Sequence, residues 1–243
     1  MSIIYINPYQ FAAAGPTDPN FANVSLLLHG DGTNGSTTIV DSSPSPKTVT
    51  AFGDAQISTA QSKFGGASIA FDGAGDYLKS PISSDYEFGT GDFTVEAWVR
   101  FVSTSTESRI VGIGRGALGG GNPIYTGWSV RYYTGNLTLY RFDGSETSVN
   151  RAWAPVVNTW YHVAVSRNGT SLRLFADGNQ LGATHTSTLS YDRVNNEDIE
   201  VGQIITGAGT FYFNGYIDDL RITKGVARYT ANFTPPTAPF PDA

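Results

Sequence analysis

The stretch from Trp160 to Ala183 constrains the fold more than any other part of the chain. Asn168-Gly169 and Asp177-Gly178 interrupt alternating apolar runs there, and both dipeptides tolerate the positive φ that a two-residue hairpin turn requires. With each dipeptide at the centre of a turn, Val165 faces Leu172, Val163 faces Leu174 and Tyr161 faces Ala176. Across the second turn, Leu174 faces Leu181 and Leu172 faces Ala183. One face of a three-stranded meander is then apolar throughout, and a slip of one residue would turn that set outward. The opposite face carries Ser166, Ser171, Arg173, His162, Phe175 and Gln180, a mixed set expected to meet water. The meander is expected in the middle of one sheet of a larger β-sandwich.

The rest of the chain repeats the pattern. Val24 to His29 reads as a first strand, followed by a Gly/Ser/Thr/Pro-rich loop to Lys47. Ser68–Phe71 and Tyr77–Lys79 read as a hairpin across Asp72-Gly73-Ala74-Gly75. From Phe93 to Val102 the alternation is complete: Phe93, Val95, Ala97, Val99 and Phe101 on one face, Thr94, Glu96, Trp98 and Arg100 on the other. Further strands are expected over 109–114, 127–133, 136–142, 147–149, 199–205 and 211–222. Where the alternation breaks, with Ile217 and Leu220 three apart, a bulge is expected that would aim Asp218 and Asp219 toward one rim or face. No stretch has a helical period. About a dozen short strands separated by turns predict an all-β, two-sheet antiparallel jelly-roll sandwich.

Length and charge agree with one large all-β domain. The chain has 243 residues, enough to hide roughly 70–75% of its unfolded surface without staples. It has no cysteine, which excludes disulfides and thiolate metal sites. A net charge of −6 without a Lys/Arg cluster argues against nucleic acid as a partner. No apolar run reaches the ~18 residues of a membrane span. The first residues have no basic region and too short an apolar run for a signal peptide.

Residues 1–22 read as an extended arm, greasy at Ile3, Ile4, Tyr5, Ile6, Tyr9 and Phe11; it is either an edge strand of the chain's own sandwich or an anchor onto a partner. The sandwich is placed at 23–224. The Pro-rich tail at 225–243 is expected to run extended over the surface.

Several stretches together resemble one family: Lys63–Leu78, Phe93-Thr-Val-Glu-Ala-Trp-Val99, Trp160-Tyr-His-Val-Ala-Val165, Leu174-Phe-Ala-Asp-Gly178 and Phe213–Ile222. The set is similar to the laminin-G-like, concanavalin A-like lectin/glucanase superfamily over about residues 24–224. The closing run Thr223–Pro236 resembles versions found in bacteriophage structural proteins, cyanophage ones included. The resemblance implies a jelly roll with concave and convex faces, and binding of glycan or protein more often than catalysis.

Glucan-cleaving members carry a motif resembling Glu-x-Asp-x-Glu, with carboxylates spaced for retaining chemistry. Here Asn196-Glu-Asp-Ile-Glu200 puts an amide where the first carboxylate belongs, so no enzyme is expected. The Gly-rich run 116–121 lacks a following helix and a Lys-Ser/Thr, which argues against phosphate binding. His29, His162 and His185 are too dispersed for a local zinc motif. A structural Ca²⁺ is expected at Asp31 and Asp41, with Asn34, or at Asp218 and Asp219, since calcium takes several hard oxygens.

Glycan contact is expected from aromatics beside polar groups: Trp98, Trp128, Tyr132 and Tyr140, with Tyr125 and Trp153 nearby. The expected function is a non-enzymatic phage virion surface protein, a capsid decoration or a short spike or fibre. It would be held to a capsid or tail protein by the arm, display a lectin-like sandwich to host-surface glycan or protein, and form a closed homo-oligomer, a trimer by symmetry. The alternative is a free bacterial carbohydrate-binding module or adhesin; a glycan-cleaving enzyme is the less favoured third reading.

Overall fold

In the computed structural model, residues 17–104, 107–113, 127–142, 146–192, 197–206 and 209–243 are described. The arm residues Ile3, Ile4, Tyr5, Ile6, Tyr9 and Phe11 lie outside them, as do Tyr125 and Asn196. Among the described residues there are nineteen strands and two short 3-10 turns. The first third holds β1 Val24–Leu28, β2 Thr38–Ile39, β3 Val49–Phe52, β4 Gln56–Ser58, β5 Ser68–Asp72, β6 Tyr77–Ser80 and β7 Phe93–Phe101. The middle holds β8 Ser108–Ile113, β9 Gly127–Tyr133, β10 Asn136–Phe142, β11 Glu146–Ala152, β12 Trp160–Asn168, β13 Ser171–Ala176, β14 Asn179–Gln180 and β15 His185–Thr186. The last part adds β16 Ile199–Val201, β17 Gln203–Thr206, β18 Gly209–Tyr212 and β19 Asn214–Lys224.

These form a sandwich of two antiparallel sheets. Sheet A runs β14-β13-β12-β7-β19-β5-β4, with β1 also on β19 and β15 on β13. Sheet B runs β11-β10-β9-β8-β16-β6-β3-β2, and β17 and β18 form a separate ribbon. Phe93, Val95, Ala97, Val99 and Phe101 of β7 point into one core with Ile110, Trp128, Val130, Leu137, Leu139, Ile199 and Val201 of sheet B. The period-2 pattern of β7 is thus realised face for face.

The register of the meander differs in one turn. Asp177 and Gly178, both at positive φ, form the second turn, and Phe175 pairs with Gln180 as expected. In the first turn the centre is Gly169-Thr170: Asn168 pairs with Ser171, and Val165 with Leu174. The pairing is displaced by two residues, which keeps every side chain on its face. Gly169 at φ 55° followed by a residue at negative φ is the II′ pattern, so one left-handed glycine suffices and Asn168 stays in the strand.

Ser68–Asp72 and Tyr77–Ser80 are not a hairpin. β5 belongs to sheet A and β6 to sheet B, and the four residues between them carry the chain across the sandwich edge. Buried Asp76 holds this crossing: its Oδ2 accepts from Asp72 N and its Oδ1 from Asp54 N. The bulge at Asp218-Asp219 is present. The β19–β7 register shifts between Asp218 and Arg221, Asp219 has φ 46°, and Ile217 and Leu220 both enter the core.

The outer face of sheet A is dry where water was expected. His162, Ser166 and Phe175 are buried because the tail after β19 lies across them. Tyr229 and Phe233 stack at 3.6 Å, and both rings meet Phe175 and His162 edge-on. Beneath them Glu96 accepts from Arg221 Nη2 at 2.8 Å and from Tyr229 Oη at 2.6 Å. Arg221 and Arg228 also grip Asp18, whose backbone N–H donates to the Ala243 carbonyl at 2.8 Å. Gly178 lets the tail approach: a Cβ there would collide with the Phe233 carbonyl, which in turn lies where Gly178 O accepts from Phe233 N.

Candidate functional site

Strand register builds a polar strip across the outer face of sheet B. Thr50, Lys79, Glu200, Gly112, Ser129, Tyr140 and Ser148 lie opposite one another on six successive strand pairings. A parallel row holds Phe52 and Tyr77 at one end and Arg109, Arg131, Thr138 and Asn150 further across. Neighbours in sequence such as Leu78, Ile199, Val130 and Leu139 face the core, so alternation forces these side chains outward. Gly112 makes a dip in the floor, since a Cβ there would meet Ser129 Cβ and lie 2.5 Å from Trp128 O.

Charges alternate along the strip. Glu200 lies 3.3 Å from Lys79 Nζ and 3.7 Å from Arg109 Nη1. Arg131 pairs with Glu107 and lies flat over Tyr140, 4.1 Å from its centroid. Burial, with Arg131 adding repulsion, pushes Arg109 down to about 10 against the pull of Glu200 and Glu107; it remains a cation at neutral pH. Ser129 Oγ and Arg131 Nε are buried and meet no hydrogen-bond partner among the described residues. At the exposed end, Phe52 and Tyr77 stack with centroids 4.6 Å apart and planes within 1°. Phe52 is 36% exposed. A cavity of about 190 Å³ opens beside it, lined by Thr50, Phe52, Lys79, Pro81 and Asp198.

Trp98, Trp128, Tyr132 and Tyr140, selected from the sequence, present no open ring face. Trp98 is 4% exposed, Trp128 1%, Tyr132 8% and Tyr140 4%. Trp128 and Tyr132 point into the core, and Trp128 Nε1 donates to Tyr86 O at 3.0 Å. Trp98 does face outward, but Lys63 Nζ sits 3.8 Å over its ring and Phe64 packs edge-on. Trp153 packs edge-on against Phe101 and Tyr161. Sequence reasoning passed over Phe52, Tyr77 and Lys79; the signal was Tyr77-x-Lys79 in alternation opposite Thr50-x-Phe52.

Of the carboxylates considered for calcium, burial raises Asp31 and Asp218, the latter to about 7, and the nearby Asp219 charge adds to both, while Asp41 does not join them. Asp41 instead accepts from Leu27 N, Ser43 N and Lys47 N and fastens the first loop. Asn34 accepts from Thr59 N. Asp219 is occupied on both oxygens, by His29 Nδ1 at 2.5 Å and Phe240 N at 2.9 Å. Asp218 Oδ2 accepts from Lys63 N and Phe64 N, which leaves Oδ1 as a buried oxygen without a partner. Among the described residues no three acidic or histidine side chains converge on a point. With Asp219 spent on both oxygens and Asp218 on one, the cluster as arranged does not make the shell of six to eight oxygens that calcium takes, and so does not fit that ion.

The laminin G family described as the concanavalin A-like lectin/glucanases superfamily matches residues 72–228. No curated protein matches the chain. Solved structures share the fold at low identity. The binding domain of Paraclostridial Mosquitocidal Protein 1 is 18% identical, with a TM-score of 0.59, covering 85% of this chain and 50% of that one. The binding domain of Botulinum Neurotoxin DC in complex with SialylT is 17% identical, with a TM-score of 0.57 and coverages of 85% and 49%. Domain 4 of AbnA, a GH43 extracellular arabinanase from Geobacillus stearothermophilus, in complex with arabinotriose, is 17% identical, with a TM-score of 0.59 and coverages of 85% and 94%. The chain thus spans about half the length of the toxin binding domains it matches. No helix among the described residues is long and apolar enough to cross a membrane.

Proposed function

The chain belongs to the concanavalin A-like lectin/glucanases superfamily, and from that premise we propose that it is a non-catalytic glycan-binding module. The observation that carries this reading is the exposed Phe52–Tyr77 pair at the end of the sheet B strip, with Lys79 and Asp198 beside it. A sugar's apolar face covers an aromatic ring while flanking polar groups fix its orientation. Two of the similar structures, with SialylT and arabinotriose bound, support the same class of ligand. Against catalysis stands the amide at Asn196, where the first carboxylate of a cleaving pair would be needed.

Glycan-array binding by the full chain tests this. Phe52→Ala should weaken binding about tenfold, the worth of one aromatic contact. Undiminished binding by that variant, or release of reducing ends from any array sugar, overturns the reading.

We further propose that the module works on a virion surface. The phage-type closing run Thr223–Pro236 and the apolar arm support this. So does the placement of Asp18, where the arm leads off, on the outer side of sheet A, opposite the strip. An arm bound to a capsid or tail protein there would leave sheet B facing outward. Deleting residues 1–16 keeps Asp18 and should release the protein from particles without lowering its unfolding temperature. Retention on particles would sink the anchoring role.

A further inference from the structure

The cover over sheet A stops one row short of its end. Along β7, Thr94 is capped by the tail through Val226 O and Arg228 N. Glu96 lies under Tyr229, and Trp98 under Lys63 and Phe64. Arg100, the next outward residue, lies against the Tyr216 ring, 5.7 Å from its centroid. The register sets Gln56, Ala70, Tyr216, Arg100 and Trp160 in one outward row across five strands, all of them partly exposed. Beside it run Asp72 and Asn214, a paired couple, and exposed Val102, whose N–H donates to Asn214 O at 2.9 Å.

Ala70 is the small residue of the row, and a cavity of about 450 Å³ forms over it. Asp54, Gln56, Asp72, Val102, Asn214 and Tyr216 are its main walls. The volume falls within the ~300–1,000 Å³ of small-molecule sites. Its chemistry is an inventory of unused groups. Among the described residues, no hydrogen bond engages the Asp54 carboxylate, the Gln56 or Asn214 amide, or the Tyr216 hydroxyl, whereas Asp72 spends one oxygen on Ala74 N. Buried Asp76 keeps the wall rigid through its bonds to the backbone of Asp54 and Asp72.

We propose that this cavity is a second saccharide site, for sugars that are uncharged or carry an amine. The Tyr216 ring and the Val102 side chain offer an apolar floor. The amides donate to and accept from ring hydroxyls, while the carboxylates accept from them, as a carboxylate does from a vicinal pair. Among the described residues no lysine or arginine lines the cavity, Arg100 lying against the Tyr216 ring outside it, so a uronate or sialic acid would bring its carboxylate against Asp54 and Asp72. The site lies on the opposite sheet from the Phe52–Tyr77 ridge, round the sandwich edge where Asp54 and Asp76 follow and precede that pair.

An array of neutral, amine-bearing and acidic oligosaccharides, probed with the full chain, tests the proposal. Tyr216→Ala should lower binding of some neutral or amine-bearing probes about tenfold while Phe52→Ala leaves those same probes unchanged. Asp72→Asn separates the two ligand types: it should weaken amine-bearing probes more than neutral ones. Thermal unfolding shows that the variants fold. The proposal is overturned if no neutral or amine-bearing probe depends on Tyr216, or if the probes that do are acidic. Loss of Phe52-dependent binding alone would touch only the sheet B reading.

Discussion

At the scale of single residues, Glu96 is the most consequential side chain outside the strip. Burial raises its carboxyl pKa, but Arg221 and the hydrogen bonds from His162 and Tyr229 outweigh that and hold it down, at about 2. A folded-state value below the ordinary 4.5 gives stability that is fully present above pH 4.5 and lost as pH falls toward 2. The contribution is on the order of 3 kcal/mol at neutral pH. Glu96→Gln should therefore lower the unfolding temperature at pH 7, since it leaves Arg221 buried against a neutral partner. It should also flatten the acid limb between pH 4.5 and 2. A variant with the parental acid limb would show that the carboxylate is not the titrating group. From the sequence, His162 fell beside Phe175 on the mixed face of the meander. Its rings-and-carboxylate setting was hidden, because Glu96, Arg221 and Tyr229 are far apart in the chain.

At the scale of elements, the tail is as much a part of the sandwich as a strand. It puts Tyr229 and Phe233 on Phe175 and lays Phe240 over Arg221, 3.8 Å from the guanidinium carbon. Ending the chain at Lys224 would expose Phe175 and His162 and unpair Glu96 from Tyr229. The loss should be at least ~3 kcal/mol, the range for removing one large buried aromatic, and the product should bind a hydrophobic dye. Unfolding unchanged by the truncation would contradict the packing.

Elements with internal constraints were legible from sequence. The alternation of β7 and the broken alternation at Asp218-Asp219 left one arrangement each. The turn at Asn168-Gly169 was misplaced because Gly169-Thr170 satisfies the same chain reversal with one glycine. Asp72–Asp76 read as a hairpin because a crossing between sheets uses the same Gly-rich residues as a turn within one. The strip on sheet B depends on which strands become neighbours, β6 with β16 and β16 with β8. Side-chain identity alone favoured the tryptophans, which packing consumed.

At the scale of the whole molecule, two outward surfaces remain after the core and the tail have taken their share. One ends at Phe52–Tyr77 on sheet B and the other centres on Tyr216 on sheet A. The hydrogen bond from Asp18 N to Ala243 O brings sequence-distant ends into contact. The covalent order of the strands is therefore one choice among several that the same packing permits. A ring made by joining residue 243 to residue 17, then cut between Gly169 and Thr170, should refold to the same sandwich with its acid limb intact. In such a permutant the entrance point of the polypeptide moves to the far end of the β12–β13 ribbon, so a tether could be relocated without disturbing either surface.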